Sequence, residues 1–248
     1  MPSVLPLFPL TALFLFLWPS LSAAQSASPA PPPASSDRPP LADFPLLRQF
    51  EERYRKANRL QVTFLERYSE NDSTVRIESG NAYFLHPGKM RWDYQAPEKN
   101  MFLVDGKYVW FYSPADHTAT RMPVKRSEDW RTPLAFLTSH MKLSRLCSNV
   151  EQARGEKPAQ SPDSVYRCAL REPSQPASSK SRFVLFELSP EGALNRLVIP
   201  QEGGVTLEFS FTGWRWDPVL DAGVFQFVPP RDTVIVEGLL PDTPGLRQ

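Results

Sequence analysis

Side-chain catalysis needs a nucleophile, a base or a metal within mutual reach, and this sequence supplies few candidates. Its three histidines, His86, His117 and His140, stand far apart, and none has a second ligand at the spacing a metal site uses. Each reads more simply as a surface or loop-edge residue. Asp72, Asp93, Asp105 and Asp116 could form a carboxylate pair, yet all fall at turns or strand edges, where aspartate commonly serves the backbone. The sequence contains no G-x-S-x-G elbow, H-E-x-x-H helix, Gly-rich phosphate loop or C-x-x-C pair. The chain therefore reads as a non-enzyme, with no metal and no cofactor expected. Cys147 and Cys168 are its two cysteines. An even count fits one disulfide in an oxidising compartment, closing a loop of about twenty residues worth roughly 3 kcal/mol in the chain-entropy account.

What the sequence has in excess is bulky apolar side chains on strand-like segments. Met90, Trp92 and Tyr94 alternate with Arg91 and Asp93, so they share one face of a strand. Phe64, Phe84, Met101, Phe102, Trp110 and Phe111 come from neighbouring segments. Any one of them alone is an ordinary core residue. Together, on a sheet with only two short helices to cover it, they leave apolar surface that calls for a ligand. A concavity with aromatic walls and few polar groups suits an acyl chain, which gains about 0.8 kcal/mol per buried CH₂ without any specific hydrogen bond.

The elements that would position these residues follow from periodicity. Phe44, Leu47, Phe50, Tyr54 and Ala57 recur at spacings of three and four, which predicts a first helix with Asp43 as its cap and Pro45 in its first turn. Beyond Asn58 the period becomes two. Strands are predicted at Leu60–Leu65, around Val75 and Ile77, at Met90–Tyr94, Met101–Val104 and Tyr108–Tyr112. Further strands are predicted at Val165–Leu170, Phe183–Leu188, Leu194–Ile199, Val205–Phe211 and Phe225–Phe227. Turn signals at Pro87-Gly88, Asp105-Gly106, Pro190-Glu191-Gly192 and Gly203-Gly204 separate them. A second short helix is expected to open at Pro133–Leu137. So many strands must twist and curl. The expected fold is mainly β with some α: an incomplete, strongly curved antiparallel half-barrel whose helices lid a hydrophobic cavity.

Residues 1–24 read as a signal peptide: Leu5–Trp18 is almost wholly apolar, and Ser22-Ala23-Ala24 offers a small-x-small cleavage pattern. The run is shorter than the ~20 residues that span a bilayer. Cleavage near Ala24 would export the mature protein. Residues 25–40, rich in Ala, Pro and Ser, form a linker; residues 41–240 form the folded domain; residues 241–248 form a flexible tail. With 28 Lys+Arg against 27 Asp+Glu, there is no global basic field to attract nucleic acid. A monomer is expected.

One stretch carries a resemblance. Gly80-Asn81-Ala82-Tyr83-Phe84-Leu85-His86-Pro87-Gly88-Lys89-Met90-Arg91-Trp92-Asp93-Tyr94 resembles the signature of the periplasmic outer-membrane lipoprotein carriers, the LolA family. The resemblance continues in order through Pro97, Val104-Asp105-Gly106-Lys107, Trp110-Phe111-Tyr112-Ser113-Pro114, Thr132-Pro133-Leu134 and Phe225-Gln226-Phe227-Val228-Pro229-Pro230. It implies a half-barrel that holds lipoprotein acyl chains, receives them from an inner-membrane lipoprotein-releasing ABC transporter and delivers them to an outer-membrane lipoprotein receptor. It implies no cofactor. Met90 and Trp92 match the cavity mouth and wall, and Leu134, Phe136 and Leu137 match the lid helix. With Phe64, Phe84, Tyr94 and Trp110 these make the expected lipid-binding set. The family's basic lid residue is here His86, which offers one donor when neutral where arginine offers five. The closed lid would be held less firmly and gain pH sensitivity near the histidine reference pKa of about 6.5. Arg91 is the other gating candidate.

Two further readings share the fold. A lipid-sensing regulator of the cell envelope would use the same half-barrel as an interaction module, with a second domain expected after it. The outer-membrane receptor would need a lipidated cysteine directly after the signal, where this sequence has Gln25. An enzyme acting on envelope lipids would need a nucleophile–base pair that the sequence does not display.

Overall fold

The period-two segments become strands of one sheet. The computed structural model describes residues 44–124, 137, 143–171, 182–221 and 223–238. Helix α1 (Pro45–Lys56) precedes β1 (Arg59–Glu70), β2 (Ser73–Leu85), β3 (Lys89–Ala96), β4 (Met101–Val104), β5 (Tyr108–Ser113) and β6 (Thr118–Pro123). Then come the short helix α2 (Leu143–Leu146), β7 (Cys147–Gln152), β8 (Ser164–Leu170), β9 (Phe183–Leu188), β10 (Leu194–Pro200), β11 (Val205–Trp216) and β12 (Val234–Glu237). All twelve strands form one sheet in the order β12-β6-β5-β4-β3-β2-β1-β11-β10-β9-β8-β7. Its two ends do not meet, so the barrel stays open.

Short turns account for the meander. Asn71 and Asp72, both at positive φ, join β1 to β2 across the Glu70–Ser73 pair. That conformation suits a two-residue hairpin, and Asn and Asp tolerate it. The Asp105 carboxylate accepts the Lys107 and Tyr108 amides, each at 2.7 Å, and fixes the β4–β5 turn.

The sheet curls because its middle strand carries small residues. Gly80 of β2 lies between Phe64 and Tyr94 in register, and Ala82 lies opposite both Val62 and Trp92. With almost no side chain between them, the Phe64 ring reaches Trp92 at 4.7 Å and Tyr94 at 5.1 Å. Trp92 of β3 and Phe209 of β11 are separated by two intervening strands. On a flat sheet that is about 14 Å, yet their ring centroids are 5.5 Å apart. This face is therefore concave, and it holds the main core.

Helix α1 lies on the same face, with Leu47, Phe50 and Tyr54 buried as the three–four spacing predicts. Phe50 meets Phe186 at 6.2 Å, and Tyr54 meets Trp214 and Trp216 edge-on. The Tyr54 hydroxyl accepts the Leu194 amide at 3.0 Å. Pro45 occupies the first turn, and Phe44 rather than Asp43 is the residue before it.

A second apolar cluster lies on the convex face. Met101, Leu103, Trp110 and Ala119 are covered by Leu220, Val224, Phe225 and Phe227. Phe225–Phe227 is thus no strand: it is an irregular segment laid across the sheet, and the strand that follows it is β12. β12 pairs with β6 in parallel, the one departure from the expected antiparallel pattern among the strand pairs. β6, β7 and β12 were not expected from periodicity. Val75 and Ile77 are exposed, while Glu78 is buried on the concave side. The parity set by Ala82 and Phe84 carries through β2 and overrides the local apolar alternation. The expected opening of a helix at 133–136, and the segments 1–43 and 239–248, lie outside the described residues.

A Cβ on Gly80 would sit 1.9 Å from the Asp93 carbonyl oxygen. Gly80→Ala must push β2 and β3 apart, at a cost of about 1–3 kcal/mol. Urea denaturation should show a lower midpoint at unchanged slope; an unchanged midpoint would mean the two strands separate freely there. Burial raises the Tyr54 pKa far above that of an ordinary phenol. Below pH about 10 the group is neutral whether folded or unfolded, but above it only the unfolded chain releases the proton, so stability falls as pH rises. Stability measured from pH 8 upward should decline less steeply in Tyr54→Phe; equal slopes would remove Tyr54 as the cause.

Candidate functional site

The concave face is graded along its strands. At its centre Trp92 is fully buried within a ring of phenylalanines: Phe64 at 4.7 Å, Phe209 at 5.5 Å, Phe84 at 5.9 Å and Phe211 at 6.4 Å. Most of these contacts are edge-to-face, the arrangement worth about 0.5–1.5 kcal/mol per pair beyond area burial. Met90 lies opposite Phe84 in the β2–β3 ladder, and both are buried.

Two residues further along β3 the face turns polar. The Tyr94 hydroxyl donates to Glu66 at 2.8 Å, and Glu66 pairs with Glu78 in the β1–β2 register. Both glutamates are buried. Arg76 forms an ion pair with Glu78 at 3.0 Å and lies over the Tyr68 ring, and Tyr68 donates to Glu70 at 2.8 Å. Charges taken out of water persist when paired and hydrogen-bonded. This end of the concavity is thus a connected polar group rather than more core.

At the opposite end the described residue Leu137 packs into the concave face. Leu137 is fully buried in the main cluster, and its carbonyl lies 2.9 Å from His86 Nε2. A carbonyl can only accept, so this contact places the proton on Nε2. Farther along the chain, the Leu143 amide donates to the Glu51 carboxylate of α1. The β2–β3 turn thus contacts Leu137, and α1 contacts Leu143.

The structure brings Phe64, Phe84, Met90, Trp92, Tyr94 and Leu137 into one cluster. Leu134 and Phe136 lie outside the described residues. Trp110 does not join the cluster. β5 turns Val109 inward and Trp110 outward, where its Nε1 donates to Asp105 at 2.9 Å and its ring meets Phe227. Arg91 is also on the convex side: it donates to Asp93 at 2.8 Å and to the Val224 carbonyl at 3.1 Å, so it secures the C-terminal segment rather than the Leu137 end. Sequence reasoning passed over Phe209, Phe211 and Trp214 of β11, although the alternation of Leu207, Phe209 and Phe211 is the same signal that singled out Trp92. Cys147 and Cys168 are disulfide-bonded with Cα atoms 5.4 Å apart, joining the edge strand β7 to β8. Among the described residues no group of His, Cys, Asp and Glu is placed to hold a metal.

Comparison with known proteins places this arrangement. The sequence pattern of the family described as outer membrane lipoprotein carrier protein LolA matches residues 55–228. An outer-membrane lipoprotein carrier protein of Nitrosomonas europaea is 26% identical over 184 residues, covering 71% of this chain and 82% of its own length. One from Methylococcus capsulatus is 27% identical over 182 residues, covering 73% and 82%. Among solved structures, an uncharacterized conserved protein from Thermus thermophilus is similar at a TM-score of 0.47 and 14% identity, covering 78% of this chain and 97% of its own. The family match spans β1 to β11 and the segment after it, including the whole aromatic floor and the His86 turn, so the chain belongs to the LolA family of outer-membrane lipoprotein carrier proteins.

Proposed function

We propose that this protein is an exported periplasmic carrier that takes up the acyl chains of lipoproteins on its concave face and ferries them from the inner to the outer membrane. The observation that carries this reading is the aromatic floor around Trp92, with a fully buried Leu137 at one end whose carbonyl meets His86. Cargo would arrive from an inner-membrane lipoprotein-releasing ABC transporter and leave to an outer-membrane lipoprotein receptor. Residues 1–24 would direct export, and residues 25–40 would tether nothing but serve as a spacer. No covalent step is involved.

Loading is a competition for the same surface. Burying a leucine side chain is worth about 1.5–3 kcal/mol and one neutral hydrogen bond about 0.5–1.5 kcal/mol. At about 0.8 kcal/mol per CH₂, three to six methylenes offset both, so a myristoyl-length chain displaces Leu137 with affinity to spare. Release stays possible because the returning Leu137 and its His86 contact recover part of what the departing chain gives up.

Native mass spectrometry of the mature protein purified from the periplasm should show co-purifying acylated protein or lipid. A ligand-free protein that also ignores added lipoprotein would overturn the carrier reading in favour of a regulatory interaction module. His86→Ala should raise amide exchange at residues 137 and 143–146 by about 2- to 10-fold, the loss of one hydrogen bond, and tighten acyl-chain binding by populating the open state. Unchanged exchange would remove His86 from the gate.

A further inference from the structure

We infer that the Trp92 indole N–H is the donor that reads the acyl carbonyl of the cargo, so that the site selects ester- or amide-linked chains over a hydrocarbon of equal length. This rests on the carrier reading and adds to it a chemical criterion for the ligand. Trp92 is fully buried, and its Nε1 has no hydrogen-bond partner among the described residues. Other indoles of the fold are served: Trp110 donates to Asp105 at 2.9 Å and Trp214 to the Leu194 carbonyl at 2.7 Å. The rings that surround Trp92 are phenylalanines, which carry no acceptor oxygen. A dry apolar cage does not hold a water that could substitute. A buried donor left without an acceptor is expensive, and a native fold that keeps one calls for an explanation.

The position of Trp92 supplies that explanation. Toward the β2–β3 turn from it the concave face is hydrocarbon, with Met90, Phe84 and Leu60 side by side on β3, β2 and β1. Beyond it, two residues along β3, begin the Tyr94–Glu66 hydrogen bond and the Arg76–Glu78 ion pair. Trp92 therefore stands at the boundary between an apolar and a polar half. An amphiphile laid along this gradient puts its tail in the first half and its headgroup toward the second, and the atom at the junction is the carbonyl that links them. An indole N–H in a low-dielectric surrounding discriminates strongly for such an acceptor, because the analogue that lacks it leaves the donor buried and unpaired.

The test compares a 1,2-diacylglycerol with the 1,2-dialkylglycerol ether of the same chain length, each titrated into the mature full-length protein and into Trp92→Phe. The wild-type protein should bind the ester roughly tenfold more tightly than the ether, the scale of one unpaired buried donor. The ester-to-ether ratio, not either affinity, is the readout, and in Trp92→Phe it should fall to about one. A wild-type ratio near one, or a ratio that survives the substitution, overturns the inference while leaving the carrier reading intact. Failure of the wild-type protein to bind either lipid overturns both. Should Trp92→Phe not fold, the ¹H–¹⁵N resonance of the Trp92 indole in the wild-type protein decides: a downfield shift of the proton with ester and not with ether supports the donor role, and equal responses refute it.

Discussion

The close approach of β1 and β3 side chains over a nearly empty β2 is the contact from which the rest of the site follows. Gly80 and Ala82 contribute almost no volume, so Phe64, Trp92 and Tyr94 meet across a strand that would otherwise hold them apart. That lets the sheet bend inward at its middle, and the bend brings Phe209 and Phe211 of β11 onto the same indole. Interlocked rings of this kind leave little freedom to rearrange. The floor of the concavity is consequently its most tightly interlocked part.

The convex face is built on different physics in its two halves. Over β3 to β6 it is apolar and is covered by Leu220, Val224, Phe225 and Phe227, with Arg91 securing the Val224 carbonyl. Over β9, β10, β11 and β1 it carries a ladder of alternating charge: Glu187 accepts from Arg196 at 2.7 Å, Arg196 reaches Glu208 at 3.3 Å, and Glu208 accepts from Arg67 at 3.0 Å. Glu187 is buried because it also takes the Ala159 and Gln160 amides of the β7–β8 loop, each at 2.9 Å. Exposed ion pairs add little on their own, but a network anchored on backbone amides is ordered. Each half of the outer surface thus has its own cover, and on the inner surface helix α1 and Leu137 pack against the main core.

Much of this was legible in the sequence. The strands from Leu60 to Tyr112 and from Val165 to Phe211 follow the alternation, α1 follows the three–four spacing, and the cysteine count anticipates the disulfide. Facing was legible where one side of a strand is polar, as at Met90, Trp92 and Tyr94. It was not legible in β5, where Tyr108 to Tyr112 are all large and apolar, so alternation has no contrast. There only the register decides, by setting Phe111 against Phe102 and Trp110 against Leu103. Val75 and Ile77 misled for the opposite reason, being a locally apolar face whose parity is set by residues further along the strand. Phe225–Phe227 alternates like a strand, but the double proline after it cannot extend a ladder. The parallel pairing of β12 depends on how far the preceding segment travels across the sheet, which no local pattern encodes.

The sheet order also fixes when the fold can be completed. β1 pairs with β11, Leu60 against Trp216, so the first strand and one of the last are neighbours. A hairpin arrangement lets β1 to β6 assemble early from local contacts, but their concave side then has no opposing wall. Phe64, Trp92 and Tyr94 stay uncovered until β11 is available, and closing that long loop is slow relative to forming the local hairpins. The nascent chain is thus a half-finished trough with its stickiest surface facing outward, prone to association for as long as the last third of the sequence is missing. The aromatic floor that forms the core of the finished protein is thus the surface its unfinished form exposes longest.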